Sequence, residues 1–261
     1  MLIDTHSHLY LHDFTSDIYK VVERAIENDV KKIILPNIDS ASVYDMNNLE
    51  KKFPDILYST LGLHPTSVKK DFKKDLDSIF SNNVDSVVAI GEIGIDLYWD
   101  GTFFKEQQEA FEFQLNIAFE NKLPVIIHSR NSMKEIMDIM GLYKDKGLKG
   151  VFHCYPGNYE EAVEIIDMGF YLGIGGVLTY KKSHLPEVVA RIPLEYLLLE
   201  TDAPYLSPVP FRGKRNEPAH VKIIAEKLSE LKKLDFSIVK KQTTLNAENI
   251  FTGIVGRAID E

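Results

Sequence analysis

The sequence predicts an α/β fold of the TIM (β/α)8 barrel type, and three observations lead to it. Eight short apolar runs recur along the chain, and each run closes on a polar residue. The positions after these runs fall at about 8, 36, 64, 92, 128, 153, 175 and 202, so one unit spans about 28 residues, which is enough for a strand and a helix. The length of 261 residues also suits such a barrel. An open, doubly wound sheet alternates strands and helices too and stays as the alternative.

The eight runs are predicted to be parallel strands. They are short, rich in β-branched residues and apolar without alternation, which is typical of strands that are buried on both faces. In chain order they occupy residues 2–4, 33–36, 57–62, 87–91, 125–128, 150–153, 170–173 and 197–200.

The segments between the runs are predicted to be helices. Residues 17–27 and 107–119 each carry an apolar stripe at helical spacing. The two stripes consist of Ile18, Val21, Val22, Ala25 and Ile26, and of Phe111, Leu115, Ala118 and Phe119. From about Ala219 onward the same spacing predicts the last barrel helix and a closing helix after it. Because no linker or compositional break divides the chain, residues 1–261 are expected to form one TIM-barrel domain.

Composition and charge exclude several classes of protein. The chain has 44% hydrophobic and 26% charged residues, as ordinary globular proteins do. Its 30 Lys and Arg against 39 Asp and Glu give a net charge of −9, which argues against broad electrostatic binding of a polyanion. The single cysteine, Cys154, excludes a disulfide scaffold and suits a reducing compartment. Since no signal peptide or apolar run of about 20 residues is found, we expect a cytoplasmic protein without a membrane partner.

Six potential metal ligands stand at or just after the ends of these runs, where TIM barrels build their active sites. They are His6, His8, Glu92, His128, His153 and Asp202. A catalytic zinc ion takes three protein ligands and a structural one takes four, so six ligands suit two divalent ions. Two ions ~3.5–4 Å apart need a shared ligand. Glu92 is predicted to bridge them, because a carboxylate has two oxygens and this residue stands between the two histidine pairs.

Each of these residues also has a structural interpretation when it is considered alone. A single histidine at a strand end is often only hydrogen-bonded, and Asp202 could cap a helix. The occurrence of all six at run ends favours the metal site. His64, at the end of the third run, is predicted either to donate to a substrate oxygen or to have a structural role. His12 and His184 are expected to be solvated, and His220 is expected to lie at the surface.

Basic and aromatic residues near these positions indicate an anionic substrate. Arg130, Arg212 and Arg215 follow proposed ligands in the sequence. Guanidinium groups hold phosphate or carboxylate by paired hydrogen bonds. Lys214, in contrast, is expected to be an ordinary surface charge. The loop after the fourth run contains three aromatic residues that either stack bases or pack the loop: Tyr98, Trp99 and Phe104.

Six motifs follow one another along the chain and span nearly all of it. They occupy residues 3–9 (IDTHSHL), 62–65 (GLHP), 91–96 (GEIGID), 123–130 (LPVIIHSR), 152–154 (FHC) and 200–206 (ETDAPYL). Together they resemble the TatD family of metal-dependent deoxyribonucleases, and the resemblance continues through residues 212–218 and 246–251. It implies that residues 1–261 form a single TIM barrel of the metal-dependent hydrolase type, within the amidohydrolase-like group.

The resemblance also implies roles for individual residues. One metal ion would be held by His6, His8, Glu92 and Asp202, and the other by Glu92, His128 and His153. Four residues would lie on the substrate side or behind the ligands: His64, Arg130, Arg212 and Glu217. Three positions depart from the usual family pattern and leave the substrate preference open: Leu97, Asn131 and Pro156.

These observations favour hydrolysis of phosphodiester bonds in DNA, in the manner of an exonuclease that takes a strand end. The nucleophile would be a metal-activated water, with Asp202 as the proton acceptor and with Glu92 and His64 completing the catalytic set. Two divalent ions per subunit are expected, and Zn, Mn and Mg stay open as their identity. No obligate protein partner is inferred, and the oligomeric state stays open.

Two other functions are compatible with the same residues. The first is a small-molecule amidohydrolase, lactonase or phosphoesterase on the same dinuclear site, since one barrel supports many reactions. The arginines near the ligands weigh against it. The second is a metal-occupied binding protein without catalysis, and the presence of both carboxylates, Glu92 and Asp202, weighs against that.

Overall fold

A computed structural model describes residues 1–81, 84–144 and 146–255. Within these residues eight parallel strands form the centre of the molecule. They are β1 (Leu2–Asp4), β2 (Val30–Leu35), β3 (Leu57–Ser59), β4 (Ile90–Asp96), β5 (Val125–Arg130), β6 (Gly150–Phe152), β7 (Tyr171–Ile174) and β8 (Leu197–Leu199). Each strand pairs with the next one in sequence inside two groups, β1 to β3 and β4 to β8.

Main-chain hydrogen bonds join the two groups of strands into a closed barrel. Between β3 and β4, the N–H of Gly91 donates to the carbonyl of Leu61 at 2.8 Å. Between β8 and β1, the N–H of Thr5 donates to the carbonyl of Leu199 at 3.0 Å. All neighbouring strands are parallel, so the predicted TIM barrel is confirmed over the open doubly wound sheet.

Helices alternate with the strands and cover the outside of the barrel. They are α1 (Ile18–Glu27), α2 (Ser42–Lys52), α3 (Phe72–Phe80), α4 (Phe104–Asn121), α5 (Met133–Met140), α6 (Tyr159–Asp167), α7 (Leu185–Arg191), α8 (Val221–Lys232) and α9 (Phe236–Ile250). The predicted pair of helices at the end of the chain is present as α8 and α9. Among the described residues, no helix is both long and apolar enough to cross a lipid bilayer.

The strands are apolar without alternation because each buries both of its faces. In β5, for example, Val125 and Ile127 pack into the cluster that contains the surrounding helices, whereas Ile126 between them packs into a second cluster. The second cluster also contains Ile250 and Phe251, at the end of α9. The end of the closing helix α9 therefore packs against the strand residues that face the interior of the barrel, away from the outer helices.

Several sequence-based boundaries are wrong. The fourth strand begins at Ile90 rather than at residue 87, and Glu92 lies within it rather than after it. Apolar residues 87–89 are buried but lie in irregular chain before the strand. The hydrophobic run therefore indicates which residues are buried, and does not indicate where the strand begins. The fifth strand continues past His128 to Arg130.

Two helices also differ in detail from their predictions. Phe104 begins α4 and does not belong to the preceding loop. Phe119 and Ile26 are 45% and 36% exposed, although both were placed on buried stripes. They lie near the ends of α4 and α1, where a helix is less covered by the barrel. The prediction of one domain over residues 1–261 stays a prediction, and residues 256–261 lie outside the described part.

Candidate metal centre

The candidate site lies at the carboxyl ends of the strands, beginning with two histidines after β1. Main-chain hydrogen bonds join this segment to the chain that follows β8. The N–H of Asp202 donates to the carbonyl of His6 at 2.9 Å, and the N–H of His8 donates to the carbonyl of Ala203 at 2.8 Å. Because His6 and His8 are two residues apart, their side chains face the same way. Their Nε2 atoms are 3.2 Å apart.

Two carboxylates complete the first group of ligand atoms. Oε2 of Glu92 is 3.2 Å from Nε2 of His6 and 3.6 Å from Nε2 of His8. Oδ1 of Asp202 is 3.7 Å and 3.6 Å from the same two nitrogens. We call His6, His8, Asp202 and Oε2 of Glu92 the aspartate cluster. Atoms bound about 2.1 Å from one ion stand about 3.4 Å apart in a tetrahedron, so these separations fit a single divalent ion.

A bulge in β4 positions Glu92. The ladder with β5 shifts register here, from Gly91 opposite Ile126 to Ile93 opposite Ile127, so Glu92 has no partner in β5. Its N–H donates instead to the carbonyl of Asn37 at 3.0 Å. Bulges commonly redirect a side chain beside an active site. The carboxylate is consequently buried at the centre of the ligand groups, with 3% of the side chain exposed.

Three imidazoles approach the other oxygen of Glu92. Oε1 is 2.8 Å from Nε2 of His153, 2.9 Å from Nδ1 of His128 and 3.2 Å from Nε2 of His64. We call these three histidines and Oε1 of Glu92 the histidine cluster. Glu92 thus stands between the two clusters with one oxygen in each, as a bridging ligand would, and bridging itself stays a prediction.

All six ligands that the sequence proposes are brought together, and His64 joins them. Within the described residues, three sets of ligand atoms each lie within 4.8 Å of one another. The sets are His6, His8 and Glu92; His6, His153 and Asp202; and His64, Glu92 and His128. The structure thus brings His64 as close to Glu92 as the proposed ligands, whereas the family resemblance implies a place on the substrate side.

The carboxylates and two of the imidazoles of the site have ionisation states that suit metal binding. Burial raises the pKa of Glu92, but the surrounding imidazoles, His153 first, outweigh burial and hold the pKa well below its ordinary value. Burial also raises the pKa of Asp202, and the neighbouring histidines lower it overall. Burial lowers the pKa of His6 and His64, which keeps their imidazoles neutral. Burial also lowers the pKa of His153, but Glu92 and Glu200 outweigh burial and raise it well above its ordinary value, so a metal ion bound there would displace a proton. Ionised carboxylates and neutral imidazoles are the forms that coordinate divalent ions, so the donor set fits them once that proton is released.

Two further acids support the histidines, and sequence reasoning did not assign them a role. Oδ2 of Asp96 is 2.9 Å from Nε2 of His128. Burial lowers the pKa of His128, but Asp96 and Glu92 outweigh it and raise the pKa. Oε1 of Glu200 is 3.5 Å from Nδ1 of His153. Carboxylates behind ligating histidines orient the ring and strengthen it as a ligand. The available signal was their position inside the motifs at 91–96 and 200–206.

Replacing Asp96 with asparagine is expected to weaken metal binding about 10- to 100-fold, the usual effect of removing a carboxylate behind a ligating histidine. The amide retains one oxygen for the main-chain N–H groups that Oδ1 accepts, so the loop should stay folded. Calorimetric titration with a divalent ion measures the change. Asp100→Asn, in the same loop but fully exposed, is the matched control. Equal affinities for Asp96→Asn and wild type would exclude this role.

An open cleft of about 510 Å³ lies over the two clusters. Besides cluster residues, its lining includes Trp99, Arg130 and Tyr205. Arg130 is exposed, and its guanidinium carbon lies 3.9 Å from the ring centre of Tyr98. Within the described residues it takes part in no salt bridge. Its hydrogen-bond donors are therefore available to an anion in the cleft.

The other two arginines and Glu217, which was also proposed for the substrate side, are placed differently. Arg212 is exposed and stacks over Tyr180 at 4.4 Å, and it is not part of the cleft lining. Glu217 accepts two hydrogen bonds from Arg24, at 2.8 Å and 2.6 Å. Arg215 makes a bidentate pair with Asp17 at 2.8 Å and 2.8 Å. The positive charge of Arg215, which was predicted to favour an anionic substrate, is thus offset by the carboxylate of Asp17.

We expect Glu217→Gln to lower stability rather than to weaken substrate binding, since the structure places Glu217 against Arg24. The pair is partly exposed, so its coupling free energy should be about 0.5–1 kcal/mol. A double-mutant cycle with Glu217→Gln and Arg24→Met, followed by urea unfolding, measures that coupling. If Glu217→Gln instead raises the substrate KM severalfold at unchanged stability, the substrate-side role is the correct one.

The structural alternatives for single residues are resolved by the fold. Asp202 does not cap a helix, because irregular chain follows it and the next helical turn begins only at Pro218. His220 is buried, stacks on Phe211 and lies 2.8 Å from Oδ1 of Asn216, so its surface assignment was wrong. His184 is exposed, with Nε2 3.2 Å from the carbonyl of Gly157. Three assignments are confirmed by exposure: His12, His184 and Lys214.

Comparison with known proteins agrees with this geometry. Residues 3–252 match the family model described as TatD related DNase. The uncharacterized metal-dependent hydrolase YabD of Bacillus subtilis is 38% identical over 253 residues, which cover 96% of this chain and 99% of that protein. The uncharacterized metal-dependent hydrolase YcfH of Escherichia coli is 33% identical over 255 residues, which cover 96% of this chain and 95% of that protein.

Solved structures show the same similarity. The crystal structure of YjjV, a TatD homolog from Escherichia coli, superposes with a TM-score of 0.89 at 30% identity, covering 96% of this chain and 98% of that one. A TatD family hydrolase from Entamoeba histolytica superposes with a TM-score of 0.81 at 26% identity, and the superposition covers 96% of this chain and 97% of that one.

Proposed function

This chain belongs to the TatD-related DNase family, and on that premise we propose that it cleaves phosphodiester bonds of DNA, starting from a strand end. It is a metal-dependent hydrolase of that family. DNA as the substrate, a strand end as the point of attack and two ions as the cofactor are the proposal.

One observation carries the proposal: Glu92 stands with one oxygen in each of two ligand clusters, on the floor of a cleft that also contains Arg130. Paired divalent ions that share a ligand are a recurrent device for displacement at phosphorus, because they contact both the attacking and the leaving oxygen. An arginine beside them adds a cationic group that suits a phosphate oxygen. An amide or a lactone has no phosphate oxygen at the reacting bond, so its hydrolysis would give Arg130 no comparable group to bind.

The residues of the chain take complementary parts in this reaction. Divalent ions in the two clusters would supply a Lewis acid and lower the pKa of water toward neutrality. Asp202, held as a carboxylate, accepts the proton of the attacking water. Arg130 binds a non-bridging oxygen of the phosphate and orients it. His64, neutral and at the edge of the cleft, donates a hydrogen bond to the leaving oxygen.

The charge and size of the molecule favour a strand end over a long duplex. The net charge of −9 makes wide contact with a DNA backbone unfavourable. The cleft, at about 510 Å³, has the volume of a small-molecule pocket, which suits a terminal nucleotide. Few phosphates would contact the protein, so binding should depend only shallowly on salt.

Removal of metal is expected to abolish activity, and return of a suitable divalent ion is expected to restore it. The experiment uses chelated protein, with Zn, Mn, Mg and Co returned one at a time and metal content measured for each. Linear single-stranded DNA should be shortened stepwise from one end. Circular single-stranded DNA, which has the same chemistry and no end, is the matched control.

Three results would contradict parts of the proposal. Cleavage of the circular DNA at a similar rate would exclude a requirement for strand ends. Turnover of small esters, lactones or amides with DNA left intact would favour the small-molecule hydrolase. Full metal occupancy without turnover of any substrate would favour a binding protein.

A further inference from the structure

We propose that Trp99, Tyr98 and Arg130 form a subsite at the rim of the cleft that recognises a nucleobase attached to the phosphate. The subsite would take a nucleotide, that is, a planar base linked to an anion, and would discriminate against a sugar phosphate. This inference deepens the proposed function and rests on it for the substrate class.

Both aromatic rings are largely exposed rather than packed into the loop, and the ring of Trp99 lines the cleft. Trp99 and Tyr98 are 67% and 54% exposed. The loop is anchored at both ends by other residues, because Leu97 before the pair and Phe104 at the start of α4 contact the hydrophobic core. Large aromatic rings left in water beside a cleft are typical of a binding surface, since burying them against a ligand recovers the hydrophobic free energy.

The loop that carries the rings is fixed to the metal centre by one carboxylate. Oδ1 of Asp96 accepts hydrogen bonds from the N–H groups of Tyr98 and Trp99, at 2.9 Å and 3.1 Å. Oδ2 of the same Asp96 lies 2.9 Å from His128 in the histidine cluster. The aromatic pair is therefore held at a defined position relative to the proposed reaction centre, and little ordering is needed when a ligand binds.

Arg130 connects the rings with the place of the phosphate. Its guanidinium carbon lies 3.9 Å from the ring centre of Tyr98 and 5.1 Å from that of Trp99. The two rings meet edge to face, at 85° and 5.0 Å. Tyr98 thus supports the face of the guanidinium and leaves its N–H edge for an anion. Trp99 and Arg130 both line the cleft, so a base on the indole and its phosphate on the guanidinium are compatible.

The chain contains one tryptophan, so fluorescence reports on this subsite directly. The full-length protein is titrated with deoxyadenosine 5′-monophosphate, and with deoxyribose 5-phosphate and inorganic phosphate as probes without a base. We expect saturable quenching by the nucleotide and none by the other two. Equal responses to the nucleotide and to deoxyribose 5-phosphate would overturn the subsite.

Variants test the contribution of the ring by calorimetry. Trp99→Leu should weaken binding of the nucleotide at least about fivefold, and leave binding of deoxyribose 5-phosphate unchanged, because stacking on the base is lost. Trp99→Phe keeps an aromatic face and should stay close to wild type. Phe119→Leu, an exposed aromatic residue near the other end of α4, is the matched control. Wild-type nucleotide affinity in Trp99→Leu would exclude the proposal.

Failure of the subsite and failure of the proposed function give different results. If nucleotide binding depends on Trp99 but DNA is not hydrolysed, the subsite stands and the proposed function falls. A second comparison uses an oligonucleotide and the same oligonucleotide with an abasic end, and measures the ratio of their cleavage rates. If linear DNA is hydrolysed but this ratio is the same for Trp99→Leu and wild type, the function stands and the subsite falls.

Discussion

Replacing Glu92 with glutamine should reduce turnover by about a thousandfold or more and should leave at most one tightly bound ion per chain. An amide has one oxygen in place of two and carries no charge. It can therefore serve only one cluster as an acceptor, while its NH₂ group faces the imidazoles of the other. The size of the side chain is unchanged, so the barrel and the bulge at this position should be retained.

Metal content at saturating ion and single-turnover rates measure the two effects of Glu92→Gln separately. Glu109→Gln, on the exposed face of α4, is the matched control for removal of a carboxylate charge. Circular dichroism and urea unfolding establish that the variant is folded. Two bound ions together with turnover within tenfold of wild type would show that Glu92 does not bridge the clusters.

Replacing Asp202 with asparagine should lower kcat by about 10²- to 10⁴-fold, the range for loss of a positioned proton acceptor. KM should change little, because Asp202 lies beside His6 and His8, whereas Arg130 is the residue proposed to bind the phosphate. The main-chain bond from Asp202 to His6 does not involve the carboxylate, so the closure of the barrel stays intact.

The experiment must separate proton transfer by Asp202 from ligation by Asp202. Turnover of Asp202→Asn is therefore measured over a range of metal concentrations, until metal content equals that of wild type. A deficit that persists at equal occupancy supports the role as proton acceptor. Recovery of near-normal turnover at high metal would leave Asp202 as a ligand alone.

Much of the fold was predictable because the strands of a barrel bury both faces. Continuous apolar runs follow from that burial, and β2, β5 and β8 each lie at or within two to three residues of their predicted places. The fourth strand was misplaced for the same reason. Residues 87–89 are buried as irregular chain before β4, and hydrophobicity does not distinguish that from a strand.

The candidate ligands were predictable because parallel strands bring their carboxyl ends to one mouth. Residues as far apart in sequence as His6 and Asp202 are therefore neighbours once the strand order is known. The partners behind them were not predictable in this way. Asp96 and Glu200 gain their roles only from the direction in which His128 and His153 point.

The barrel, the six candidate ligands and the family were predictable from the amino-acid sequence, since these depend on local patterns of burial and on residue types in a fixed order. Three arrangements became visible only in three dimensions: Glu92 offers one oxygen to each cluster, Glu217 pairs with Arg24, and Arg130 rests on Tyr98. These arrangements depend on where side chains from distant segments end in space. A strand bulge or the choice between two ion-pair partners leaves little trace in the local pattern of residues.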